Sequence, residues 1–483
     1  MKRIAFPLAA PLLLISGLAL LAPDATRAAE PAAIPEPVKA TIATLQKDAL
    51  AGTRAFEHVR SLTVEVGPRL AGTPRYARAV EWGLKTLKDL GFANVHPEAT
   101  TLPHWERGAE SGEILSPFQQ TVHLCALGGS VGTPGNGIEA DVLLVPSLKD
   151  FEAVDAAQVK GKIVFFNTRM ERTRDGQGYG AAVGMRGAGP SLAAKKGAVA
   201  ILIRSVGTDK NRLPHTGGTR YEEGVERIPA AALSVPDADL LEAQVAAAQK
   251  AGTPVRFRLQ LGAQHLPDVE GASVVGEVVG REKPEEIVLL GCHLDSWDLG
   301  TGAIDDGAGC AIVIETARLL AQLPQKPRRT VRVVLFANEE FGLSGARAYA
   351  EAHKAELDKH ILAGEADLGS GRPYSLGSHV DPATLARMDA IAKLLIPLGV
   401  ERGGNESGGG ADLIPLGTAR VPAFALSQDA SQYFDYHHTA NDTLDKIDPK
   451  DLDANVAAWL TVVYAAAELP GDFGRAPEGG GRE

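Results

Sequence analysis

"EEIVLLGCHLDSWDLGTGAIDDGAGCAIVIETARLLAQL" (Glu285–Leu323) decides the fold. Its first part, ending at His293, is a short continuous apolar run of the kind that a strand buried on both faces requires. Its last part, from Gly307 to Leu323, reads as a helix. Strand, glycine-rich turn and helix in that order predict one unit of an α/β sheet. Between strand and helix the chain places one His and four Asp within fourteen residues: His293, Asp295, Asp298, Asp305 and Asp306. Carboxylates are costly to bury unless something pairs with them, so this turn is either a wet surface loop or the seat of a cation. Asp306 has a second reading as a helix N-cap.

Outward from this unit the pattern repeats. Towards the C-terminus "TVRVVLFAN" reads as a strand, "LSGARAYAEAHK" as a helix, "HILAGEAD" as a strand and "PATLARMDAIAKLLIPLG" as a helix. "VPAFALS" is the next strand and "PKDLDANVAAWLTVVYAAAEL" a closing helix. Regular alternation of this kind predicts an α/β fold, with a mostly parallel mixed sheet flanked by helices. Towards the N-terminus, residues 38–90 carry helical spacing, with Ala77, Val80, Leu84 and Leu87 on one face, and "FANVHPEATTLPHW" reads as a strand.

Between them lie the short apolar strands "GIEADVLLV", "GKIVFFN", "GAVAILI" and "IPAAALS", separated by glycine-rich turns and helices near residues 191–196 and 237–250. This texture predicts an inserted β-rich domain over residues 121–265. Six glycines between Arg169 and Gly189 predict a flexible surface loop there. The tail after residue 470 reads as disordered.

At 483 residues the chain is long enough for two domains, and its 45% hydrophobic and 23% charged residues are those of an ordinary globular protein. A formal charge of −11 without a dense basic run argues against nucleic acid. Lys2 and Arg3, the apolar run behind them and the small residues around Ala28 form the pattern of a signal peptide over residues 1–28, with a retained anchor as the alternative. The expected location is therefore exported, periplasmic or secreted, with no membrane contact beyond that segment. The three cysteines, Cys125, Cys292 and Cys310, permit at most one disulfide and leave at least one thiol free. Cys292, beside His293, reads as a buried strand residue rather than a nucleophile, because no basic partner for it is evident.

Ligands in open α/β sheets bind at the carboxyl ends of the strands, and the candidate donors fall there. His293 and Asp295 follow one strand, Asp305 and Asp306 precede its helix, Glu339 and Glu340 end "VRVVLFANEE", Asp367 ends "HILAGEAD", and His437 and His438 follow "VPAFALS". Two His and three carboxylates exceed what one tetrahedral zinc needs and suit two metals about 3.5–4 Å apart, between which a water becomes acidic enough to attack a carbonyl. The Glu pair offers one acid as ligand and its neighbour as general base.

Taken in order, "HLDSWDLGTGAIDDGAG", "ANEEFGLSGARAY", "EADLGSG" and "HHTANDTLDKID" resemble the co-catalytic zinc exopeptidases of the aminopeptidase Y and bacterial leucyl aminopeptidase family. The similarity covers about Val38 to Leu469. It implies two zinc ions per chain: His293 on one, His438 on the other, Asp305 bridging them, and Glu340 and Asp367 binding one each. It implies Asp295 behind His293 to orient its imidazole, Glu339 as general base, and a cis peptide between Asp305 and Asp306. Aligning "HTANDTL" with the family's H-x-x-x-D-T pattern selects His438 over His437. "VKGKIVFF", "AAKKGAVAILI" and "IPAAALS" resemble a protease-associated domain, which this family inserts ahead of the catalytic strands. One branch of the family carries a further His where Ala440 stands here, which bears on substrate preference.

The implied activity is hydrolysis of the N-terminal bond of small peptides or dipeptides by a metal-bridging hydroxide. Small peptides are the expected partners, and a homodimer is compatible with the sequence. Two rivals share the fold: a single-zinc glutaminyl cyclase, against which the insertion counts, and a non-catalytic receptor or binding module, which would have lost ligands. Trp297 and Tyr433 flank the expected cleft and read as packing rather than as a side-chain pocket.

Overall fold

The computed structural model describes residues 33–478. The expected signal segment, residues 1–28, lies outside the described residues. Two sheets of eight strands each organise the chain.

The first sheet is built from β1 (Ala93–Glu106), β2 (Gln264–Val278), β3 (Lys283–His293), β4 (Arg329–Phe336), β5 (His360–Glu365), β6 (Pro373–His379), β7 (Glu401–Arg402) and β8 (Ala423–Gln428). Their spatial order is β1-β2-β4-β3-β5-β8-β6-β7. The four central strands, β4, β3, β5 and β8, run parallel, while β1 and β2 form an antiparallel edge and β6 lies antiparallel to β8. The expected mostly parallel mixed sheet is therefore present. β6 lay unmarked in the sequence, because "PYSLGSH" lacks the apolar run of a doubly buried strand and is covered less fully.

Helices cover the sheet. The helix α1 (Ala308–Ala321) is buried on nearly every side, and the closing helix α2 (Pro449–Glu468) lies against it with Trp459 1% exposed. Trp459 meets Phe424 of β8 edge-on at 5.0 Å between centroids. Helices buried on most sides are possible only where other layers sheathe them, and here the sheet and the neighbouring helices do so.

The second sheet gathers eight strands between Glu110 and Leu261, with its own apolar core around Phe165, Leu202, Leu233 and Phe257. The chain enters it from β1 and leaves it into β2, the two strands that pair with each other, so the whole unit hangs from one sheet edge. The expected boundary at residue 121 falls inside this sheet: Glu110–Ser116 already pairs with Arg256–Leu261. On the other side, Gln264 and His265 belong to the first sheet.

Two local expectations are corrected. The glycine-rich stretch after Arg169 is not one flexible loop, because Gln177–Gly187 is a helix whose Tyr179 stacks on Phe434 at 5.0 Å. Tertiary packing overrides the low helix propensity of its glycines. Nor is the tail disordered over residues 471–478: Phe473 and Ala476 are buried, and the carbonyl of Phe473 accepts from the Asp381 amide. One aromatic side chain anchors a segment whose composition otherwise reads as unstructured.

Candidate metal centre

β3 ends at His293, and parallel pairing brings the ends of β4 and β5 to the same edge of the sheet. The turn Ala303–Gly307 then swings back over that edge, with a cis peptide between Asp305 and Asp306, as the resemblance implies. Asp306 does not join the cluster. Its two oxygens accept from the amides of His293 and Gly309, so it clamps the strand end to the start of α1. Gly309 is required at that clamp, since a Cβ there would overlap the Ala366 carbonyl and the Asp306 carboxylate.

Asp305 stands between the two imidazoles. Its Oδ1 is 3.1 Å from His293 Nε2, and its Oδ2 is 3.2 Å from His438 Nε2. Asp367 Oδ1 lies 3.3 Å from His293 Nε2, and Glu340 Oε2 lies 3.0 Å from His438 Nε2. Donor atoms of His293, Asp305 and Glu340 all fall within 4.8 Å of one another, as do those of His293, Glu339 and Asp367 and those of Asp305, His437 and His438. Burial opposes ionisation of Asp305, yet the His293 and His438 rings outweigh it and hold this carboxyl well below its usual range. Burial, with Asp367 and Glu340 beside it, pushes Glu339 well up.

Of the paired histidines, whose rings stack at 3.5 Å, only His438 reaches both Asp305 and Glu340; His437 Nε2 is 3.6 Å from Asp305 Oδ2. His438 adopts a left-handed backbone, φ 63°, which is rare for such a side chain and is held from outside. The Thr216 amide donates to the His438 carbonyl at 3.0 Å, and His438 Nδ1 lies 3.3 Å from the Thr216 carbonyl. Arg186 Nη1, which only donates, lies 3.4 Å from the same nitrogen; the nearer carbonyl only accepts and favours the proton on Nδ1, with the Nε2 lone pair on the cluster. His215 Nδ1 likewise donates to the His437 carbonyl at 2.7 Å. Thr216 and His215 belong to the second sheet's unit, which thus contributes to the centre.

Asp295 differs from its expected place. Its carbonyl oxygen lies 3.1 Å from His293 Nδ1, while its carboxylate stands 3.8 Å away and accepts the Glu339 amide at 3.1 Å. The side chain thereby fixes the backbone that carries Glu339 and Glu340.

Sequence reasoning missed Arg69 and Asp442. Asp442 Oδ1 accepts from the amides of Ala303 and Ile304, both at 2.7 Å, and burial together with Asp305 pushes its carboxyl up to about 7. It lies inside "HTANDT", where the family pattern marks it without stating a role. Arg69, fully buried, donates to the carbonyls of Leu294, Thr301 and Gly302 at 2.6, 2.8 and 3.0 Å and so ties down both arms of the loop. Nothing in "GPRLAG" distinguishes it from a surface arginine. Arg69→Met should strand three buried carbonyls and cost about 3 kcal/mol or more, read as a lowered urea midpoint. A change within about 0.5 kcal/mol would refute that role. Trp297 and Tyr433 are buried and packed on His438 and His437 at 5.7 and 5.0 Å between centroids.

Imidazoles and carboxylates converging in a buried space are donors that zinc takes. Glu340 Oε1 is buried without a hydrogen-bond partner, an unfavourable arrangement that a cation in the cluster would relieve. The residues fit such an ion.

A parallel-centred sheet with this donor set at its carboxyl edge suits a metal-dependent hydrolase, and likeness to known proteins gives the class as zinc metallopeptidase. The chain belongs to peptidase family M28, whose sequence pattern matches residues 273–463. It is 38% identical over 416 residues to carboxypeptidase Q of Mus musculus, covering 86% of each chain. The crystal structure of a peptidase M28 precursor from Shewanella amazonensis SB2B superimposes with a TM-score of 0.88 at 45% identity, covering 91% of this chain and 99% of that one. A zinc aminopeptidase from Bacillus subtilis shares the fold, with a TM-score of 0.63 at 19% identity over 88% of this chain and 97% of its own.

Proposed function

We propose that the protein is an exported exopeptidase with two zinc ions that hydrolyses the N-terminal bond of small peptides or dipeptides. The observation that carries this reading is Asp305, with one oxygen 3.1 Å from His293 and the other 3.2 Å from His438. A carboxylate shared between two imidazole sites is what a metal pair needs and what a single zinc does not.

His293 and Asp367 would hold one ion, His438 and Glu340 the other, and Asp305 both. Zinc supplies Lewis acidity, polarising the scissile carbonyl and acidifying the attacking water. Glu339 takes the proton of that water and passes it to the departing amine; burial among other acids suits it to hold a proton in transit. Asp295 fixes Glu339 through its amide, while Arg69 and Asp442 keep the Asp305 turn closed. The unit between Glu110 and Leu261 is the protease-associated domain, and its Thr216 and His215 grip the His437–His438 backbone.

Export rests on the signal pattern of residues 1–28. Among the described residues no helix is long and apolar enough to cross a membrane.

Elemental analysis of the purified chain should find two zinc per chain, and the protein should release free amino acids from a dipeptide panel until chelator is added. One zinc at full activity would remove the second ion from the mechanism. Cyclisation of an N-terminal Gln to a pyroglutamyl residue with release of ammonia, no peptide bond being broken, would replace the reaction itself.

A further inference from the structure

Directly behind the metal centre lie two of the three cysteines. Cys292 is the next-to-last residue of β3 and Cys310 stands in the first turn of α1, and both are fully buried. Their Sγ atoms are 2.8 Å apart. Non-bonded heavy atoms prefer roughly 3.5–4.0 Å, so the strand end and the helix start already hold the sulfurs inside contact distance. Little movement separates them from a bond of about 2.05 Å. The third cysteine, Cys125, sits in a strand of the second sheet, among Leu127, Val164 and Ile203.

We propose that Cys292 and Cys310 are joined as a disulfide in the folded, exported protein. The bond closes a loop containing Asp295 and Asp305 and beginning beside His293, and it ties together the two elements that Asp306 already clamps through the amides of His293 and Gly309. A cross-link here removes unfolded states in which that loop is open. All three cysteines stand as buried thiols in the structure; the bond would consume Cys292 and Cys310 and leave Cys125 as the free thiol.

The chemistry balances with an external disulfide as oxidant, either a small-molecule disulfide or a dithiol oxidoreductase of an oxidising compartment. One cysteine, as its thiolate, attacks that disulfide and expels one thiol. The second then attacks the mixed disulfide and expels the other. The two cysteines give up two protons and two electrons, and the oxidant leaves as two thiols. Because both sulfurs are shielded in the folded chain, this exchange takes place before the core closes.

Refolding the full-length chain with zinc in a glutathione and glutathione disulfide buffer tests the proposal without reference to export. The refolded protein is denatured without reductant, alkylated and digested. Labelling is expected on Cys125 alone, with a linked pair of peptides carrying Cys292 and Cys310 that is two hydrogens lighter than the separate thiols. A Cys125→Ala chain should take no label, and a Cys310→Ala chain should take label on both remaining cysteines. Alkylation of all three cysteines in protein that has regained its native circular dichroism overturns the proposal, as does a link that involves Cys125. So does a further metal ion lost on denaturation, with Cys292 and Cys310 then labelled, since it would mean that Cys292, Asp306 and Cys310 hold a cation instead. Export is tested separately by cell fractionation, and its failure would leave the refolding result standing.

Discussion

Glu339→Gln is expected to lower kcat by about 10²–10⁴-fold, the range for loss of a positioned general base, while the zinc content stays at the wild-type level. Gln keeps the shape of Glu and cannot take a proton. The Glu339 amide would still donate to Asp295, so the neighbouring Glu340 would keep its place 3.0 Å from His438. Steady-state kinetics on a dipeptide, paired with elemental analysis of the same preparation, separates the two effects. Wild-type kcat with zinc intact would take the base role from Glu339; loss of zinc would instead make it a ligand.

The second large effect is expected at Asp305. Asp305→Ala removes the group whose two oxygens serve both imidazoles, and His293, Asp367, His438 and Glu340 are left as two incomplete sites. Zinc binding to the folded state should collapse and turnover should fall below detection. Ligand that binds only the folded state stabilises it by about 4 kcal/mol at a thousandfold excess over its Kd. The variant should therefore lose most of the thermal shift that added zinc gives the wild type, which differential scanning calorimetry at matched zinc reads directly. A variant that keeps two zinc ions and the full shift would show that Asp305 bridges nothing.

How far these residues were visible beforehand follows from the kind of force that places each. His293, Glu339, Glu340 and Asp367 could be assigned to one edge because apolar strand runs and helical spacing are written locally, and parallel strands bring their carboxyl ends together. Arg69, Thr216 and the Asp295 carboxylate were not visible in that way. Arg69 acts on carbonyls more than two hundred residues away in the chain. Thr216 acts through its backbone, which no side-chain pattern records. The stretch after Arg169 was misread for a related reason: its six glycines describe local freedom, whereas Tyr179 against Phe434 describes the packing that removes it.

By itself, then, the sequence determined the layered α/β architecture and the side-chain chemistry gathered at the sheet's edge, because periodicity and donor type are properties of neighbouring residues. Only the tertiary structure decided which oxygen of Asp305 faces which imidazole, that Asp295 holds Glu339 rather than His293 through its carboxylate, and that a separate unit grips His438. Those choices rest on differences of a few tenths of an ångström in the separation of groups brought together from distant parts of the chain, and only the packed fold sets them.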